Sequence, residues 1–191
     1  MLRFSTGSAR ICSPWPPPLM REGPAPACMQ GVLAVMLCAG IAARLIAAAI
    51  TALVINYSAS LPGLIFQRTQ AEPQRGDIVL ICPKGELQQV LLQLGKIHRA
   101  WQCPGGTSGI IKRLVALPGD RITLDAQHTI CVNGRPLPHS RPDPRLPLPQ
   151  LSARTLAAGE YLVLGEHRSL DSRYLGPVQA PEIVSALRRL W

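Results

Sequence analysis

The sequence predicts a mainly β, antiparallel domain with one small helical insertion, preceded by an N-terminal transmembrane helix. Three observations carry this. After residue 60 the apolar residues fall in short runs bounded by Gly, Pro or Asp, as strands do. Nineteen prolines and sixteen glycines among 191 residues exclude an all-helical bundle. One apolar stretch near the N-terminus is long enough to cross a bilayer.

Residues 1–31 contain Trp15-Pro16-Pro17-Pro18 and Pro24-Ala25-Pro26 without periodicity and read as a flexible leader, within which Met20 and Met29 offer alternative starts. Residues 32–55 then carry a single charge, Arg44. A helix of that length reaches about 36 Å, against a hydrocarbon core of about 30 Å. Arg44 costs about 3 kcal/mol on insertion, and the Leu, Ile and Val residues return about 3–7 kcal/mol. A cleaved secretory signal competes with this anchor. Leu45–Ile55 would be its apolar region and Ser58-Ala59-Ser60 its small residues. The length of the span favours the uncleaved anchor. The arginines that precede it favour a cytoplasmic N-terminus, leaving residues 56–191 as a domain outside the cytoplasm.

In that domain strands are expected over Leu64–Arg68, Asp77–Cys82, Ile110–Leu117, Arg121–Leu124, Thr129–Val132 and Tyr161–Leu164. Asn133-Gly134 is a tight-turn pair. Leu87, Val90, Leu91 and Leu94 repeat at helical spacing, with Ile97 continuing the stripe. Pro136–Pro149 holds six prolines and must be a loop. The tail Ile183–Trp191 is ambiguous between helix and strand.

The net charge is +9, with seventeen arginines and three lysines. The basic residues are scattered rather than interleaved with aromatics, which argues against nucleic-acid binding and for a solvated basic surface. Cys82 and Cys103 bracket the helical insertion. Two readings stay open for them: a disulfide closing the insertion, or two buried thiols. No Cys-x-x-Cys pair occurs and the four histidines lack ligand spacing, so no metal or cofactor is expected.

Three segments set polar residues beside apolar runs. The first, Asn56-Tyr57-Ser58-Ala59-Ser60-Leu61-Pro62-Gly63, follows the apolar span. In the second, Lys112 shares a strand face with Ile110 and Leu114, where desolvation disfavours its ammonium form. The third is the polar loop Gly165–Pro177. Each alone has a plain structural reading: a linker serine, a snorkelling lysine, a turn held by Asp171 and Arg173.

Together, Ser60-Leu61-Pro62, Lys112-Arg113 with Leu117-Pro118-Gly119-Asp120, and Ser169-Leu170-Asp171-Ser172-Arg173 resemble the type I signal peptidases, membrane-anchored serine proteases with a Ser-Lys dyad. Asn56-x-Ser58-x-Ser60-x-Pro62, Cys82-Pro83 with Cys103-Pro104-Gly105-Gly106, and Tyr174-x-Gly176-Pro177 are most similar to the conjugative-transfer, TraF-type branch. One departure is the glycine at position 63, shifted by one from that branch's usual place.

The resemblance implies a signal-peptidase β fold, with the dyad between two antiparallel sheets. It implies Ser60 as nucleophile and Lys112 as general base. Ser58 and the Ser60 N–H would serve the oxyanion, Ser169 would orient the lysine, and Asp171 and Arg173 would hold the loop. Gly119-Asp120 would shape the turn behind the lysine strand. The implied substrate is an exported preprotein, and in this branch a pilin precursor. The implied setting is the bacterial inner membrane, with membrane lipid and mating-pore components as partners and the catalytic domain in the periplasm. Alternatives are a general type I signal peptidase, a self-cleaving repressor protease or a non-catalytic assembly factor. The apolar span argues against the repressor, and the presence of both Ser60 and Lys112 argues against the assembly factor.

Overall fold

The computed structural model describes residues 27–57, 60–145, 151–166 and 169–191. The expected leader therefore lies almost wholly outside the described residues. The chain divides into a unit ending at Ala43 and a unit from Arg44 to Trp191. Helix α1 runs Ala27–Ala52. Its Gly31–Ala52 portion has a mean hydropathy of 2.3 and is long and apolar enough to cross a membrane. The expected span reached Ile55, but the helix stops at Ala52. Leu53–Ile55 instead form strand β1, because β2 (Ile65–Arg68) pairs with them and Val54 is fully buried.

The remaining elements follow in order: β3 (Ile78–Ile81), α2 (Gly85–Gln93), β4 (Arg99–Cys103), β5 (Ile110–Ala116), β6 (Arg121–Leu124), β7 (Ile130–Val132), β8 (Arg135–Pro136), β9 (Arg154–Thr155), β10 (Glu160–Leu164), α3 (Ser172–Leu175), β11 (Val178–Gln179) and β12 (Ile183–Arg189). A seven-stranded antiparallel sheet has the order β1-β2-β12-β3-β5-β10-β11, and a four-stranded one the order β8-β7-β6-β9. The six strands expected from the sequence are all present, with ends shifted by at most a residue. The ambiguous tail is strand β12, since β2 and β3 flank it and take up hydrogen bonds on both of its edges. Asn133 and Gly134 both have positive φ (52° and 78°), the backbone that a two-residue hairpin turn demands.

Alternation along the central strands splits the core of the large sheet between its two faces. Leu80 and Ile111 join Phe66, Val54 and the sulfurs of Cys82 and Cys103 on one side. Val79, Ile81, Leu114 and Val163 fill the other. The small sheet packs Ile122, Ile130 and Val132 against Leu156 and Leu162.

The helical stripe is only half used. Leu91 and Ile97 are buried, whereas Val90 and Leu94 are exposed. Gly95, at φ 62°, ends the helical path, and the Ile97 N–H turns back to the Leu91 carbonyl. Cys82 and Cys103 are joined in a disulfide that closes the insertion, with Cα atoms 5.6 Å apart. Cross-linking a loop of this length stabilises a fold by about 3 kcal/mol. Urea titration of the full chain in detergent should therefore show a lower midpoint under reducing conditions. An unchanged midpoint would show that the clip does not constrain the fold.

Candidate active site

Lys112 sits on β5 opposite Val79 of β3, with its side chain on the Ile110–Leu114 face. It is only 3% exposed. Burial pushes its pKa down to about 8; the Asp171 charge opposes this and the Arg173 charge adds to it. The other two lysines, Lys84 and Lys96, are exposed. Lys112 Nζ donates to Ser169 Oγ at 3.3 Å, and Ser169 Oγ donates to Asp171 Oδ2 at 3.1 Å.

Asp171 is the hub of the loop after β10. Besides Ser169, its carboxylate accepts from the Gly165 N–H at 2.8 Å and from the Arg173 N–H, Nε and Nη2 at 3.1, 2.9 and 2.6 Å. Both side chains are buried. Arg173 also donates to the His139 carbonyl at 3.0 Å, tying the loop to the proline-rich segment. Burial would lower the Arg173 pKa, but its bonds to Asp171 outweigh that and raise it. Behind the lysine strand, Asp120 accepts from the Leu117 N–H at 2.6 Å, from Arg75 at 2.8 Å and from Asn133 at 2.7 Å. These bonds lock the turn that ends β5.

Ser60 lies between β1 and β2 and is 7% exposed. Asn56 braces its loop, donating to the Leu61 and Gly63 carbonyls, each at 3.0 Å. Gly63 has φ 122°, and a Cβ there would lie 2.7 Å from Arg189 Cδ, so the departure from the usual motif fits a tight turn that excludes a side chain. The Ser60 carbonyl accepts from the Glu166 N–H at 2.8 Å, which docks the serine loop on the end of β10. A Cβ on Gly165 would lie 3.3 Å from Ser60 Cβ and 3.1 Å from Ser169 Cβ, and would collide with Ser169 Oγ. The absence of a side chain at 165 therefore lets the serine loop, the Ser169 loop and the lysine strand converge.

Ser60, Lys112 and Ser169 line one cleft of about 670 Å³, whose walls also include Ile55–Tyr57, Leu91, Lys96, His98 and Ser108–Ile111. This differs from the expected placement between two sheets. The cleft is built on the large sheet and the disulfide-closed insertion, and no strand of the small sheet lines it. Ser58, expected at the oxyanion, lies outside the described residues. Among the described residues no cluster of His, Cys, Asp and Glu could hold a metal ion. The bracing by Asn56 and the packing role of Gly165 escaped the sequence reading, since neither residue type announces a long-range contact.

A serine hydroxyl, a buried lysine of lowered pKa and a neighbouring hydroxyl thus line one cleft. Residues 28–191 match the family described as signal peptidase, peptidase S26, and the chain belongs to that family. It is similar to two plasmid transfer proteins TraF from Escherichia coli. One is 30% identical over 150 residues, 70% of this chain and 80% of the relative. The other is 29% identical over 178 residues, 84% of this chain and 95% of the relative. The crystal structure of a signal peptidase I from Enterococcus faecalis V583 matches with a TM-score of 0.38 at 23% identity, covering 63% of this chain and all of that one.

Two stability measurements follow from the site. Arg173→Ala leaves a buried Asp171 carboxylate without its cation and should cost about 3–5 kcal/mol in denaturant unfolding. Lys112→Met acts in the opposite direction. Below about pH 8 the folded protein holds a buried ammonium that the unfolded chain hydrates, and above pH 10.5 both states hold a neutral amine. The replacement should raise unfolding stability by about 3 kcal/mol at pH 7, and the gain should fade as pH rises through that window. A gain that persists at high pH would contradict the burial penalty.

Proposed function

We propose that this chain is a membrane-anchored serine endopeptidase that removes signal or leader peptides from exported proteins, and that it matures a pilin precursor in conjugative transfer. The convergence of Ser60 and buried Lys112 in one cleft carries the reading. The TraF relatives support its setting.

In this reading neutral Lys112 takes the proton of Ser60 Oγ while the oxygen attacks the scissile carbonyl carbon. The lysine then returns the proton to the departing amine, leaving an acyl-enzyme. Water, deprotonated by the same amine, releases the acid and restores Ser60. The Ser60 N–H and the Ser58 hydroxyl hold the oxyanion. Ser169 fixes the direction of the lysine amine, and Asp171 and Arg173 fix Ser169. The substrate enters as an extended strand. β1 is an edge strand, and β5 pairs with β10 only from Arg113 onward, so the segment 109–112 also has a strand-free edge at the cleft. Two such edges suit an added peptide.

The Gly31–Ala52 helix serves as the single-pass inner-membrane anchor after a leader of about thirty residues, consistent with its exposed apolar surface. The body from residue 56 faces the periplasm, where the Cys82–Cys103 disulfide persists. Exported preproteins, lipid and mating-pore components are the partners in this setting.

The test is cleavage of a prepilin or preprotein by the purified full chain. Ser60→Ala and Lys112→Ala should each lower kcat by at least about a thousandfold while keeping the fold, and Lys84→Ala should not. Wild-type kcat should rise with pH through about 8 and level off above it, because the base works unprotonated. Ser169→Ala should lower kcat more than it alters KM. Retained activity in either dyad variant would overturn the assignment.

A further inference from the structure

One contact to residues of the cleft is not used by the mechanism. Gln102, on β4 beside the disulfide, is 3% exposed. Its Nε2 donates to the Ile55 carbonyl at 2.7 Å, and its Oε1 accepts from the Gly109 N–H at 3.4 Å. Ile55 and Gly109 both line the cleft. Along the chain, Ile55 leads to Ser60 and Gly109 leads to Lys112. The carboxamide thus ties together two backbones that line the cleft.

Several contacts hold this tie in place. Arg68 donates to the Gln102 carbonyl through Nη2. A Cβ on Gly109 would collide with Leu80 Cδ1 and would lie 3.2 Å from Cys103 Sγ, so the backbone rests directly on the core and the disulfide.

The geometry points to Gln102 as a specificity-determining residue that sets how many substrate residues the cleft recognises through their main chain. This rests on the peptidase reading above. A carboxamide carries the same donor and acceptor as a peptide unit. Where it bridges the walls, it occupies the groups that an added strand would otherwise engage. A backbone N–H has one proton to give, and that of Gly109 is taken. Gly109 lies three residues from Lys112, about 10 Å along an extended chain. Main-chain recognition on that side of the scissile bond therefore stops after about three residues, and a substrate's further residues gain no strand pairing.

The experiment measures kcat/KM of the full chain in detergent on synthetic alanine-rich peptides. These share one cleavage site and are lengthened one residue at a time, separately on each side of the bond, with the cut located by mass spectrometry. On one side, wild-type kcat/KM should climb to the third residue and then change by less than about twofold per added residue. Gln102→Ala frees both wall groups, so the fourth and fifth residues on that side should raise kcat/KM about three- to tenfold, the worth of one or two hydrogen bonds. Gln102→Met keeps the side-chain volume without the hydrogen bonds and should show a gain in the same direction if the alanine variant fails to fold. A wild-type profile that keeps climbing on both sides would overturn the proposal. So would variants that lower every rate by one factor without changing the profile, which a purely structural role would produce. If the wild type cleaves none of the peptides or a prepilin, the peptidase reading falls and this inference falls with it. Cleavage with an unchanged length profile removes only the inference.

Discussion

The buried carboxylate of Asp171 is the constraint on which the rest of the site depends. It accepts five hydrogen bonds from Gly165, Ser169 and Arg173. A carboxylate removed from water is stable only when its lone pairs are occupied and its charge is matched, and Arg173 provides the match. The arrangement forces the chain after β10 into one shape. That shape puts Ser169 over Lys112 and brings Gly165 against the serine loop. The lysine's low pKa comes from its apolar strand face, but its direction comes from a carboxylate it does not touch. Charge and position are thus controlled by different parts of the fold.

Much of this was legible in the sequence. Short apolar runs between turn residues located the main strands, because burial on a pleated sheet imposes period two. Lys112 stood out because an ammonium among Ile110, Ile111 and Leu114 conflicts with its surroundings. Asp171 and Arg173 were expected to pair, both in the plain reading of a turn and in what the resemblance implied. What stayed hidden depends on contacts between distant positions. β4 reads as polar and lacks alternation, so nothing local announces it. The tail took strand form only because β2 and β3 lie beside it. Val90 and Leu94 sit on the helical stripe yet face outward, since α2 is too short to cover more than Leu91. Gln102 looked like any surface glutamine, and only the approach of Ile55 and Gly109 gives it a role.

The disulfide-closed insertion links two of these themes. Its sulfurs belong to the core cluster beneath β3 and β5, while its Leu91, Lys96 and His98 stand along the cleft. The Tyr57 and His98 rings meet edge to face, 4.6 Å apart, joining the serine-side wall to the insertion. One covalent bond in the core therefore fixes the position of a wall that would otherwise be a long, weakly packed excursion from the sheet.

The place of β12 has a consequence for the order of assembly. It follows all the other strands in the sequence, yet it lies between the second and third strands, which do not pair with each other. A chain emerging residue by residue, from a ribosome or through a membrane pore, must keep β2 and β3 apart until some 180 residues have passed. β1 and β2, which bracket the serine loop, therefore join the sheet of the lysine strand only through β12.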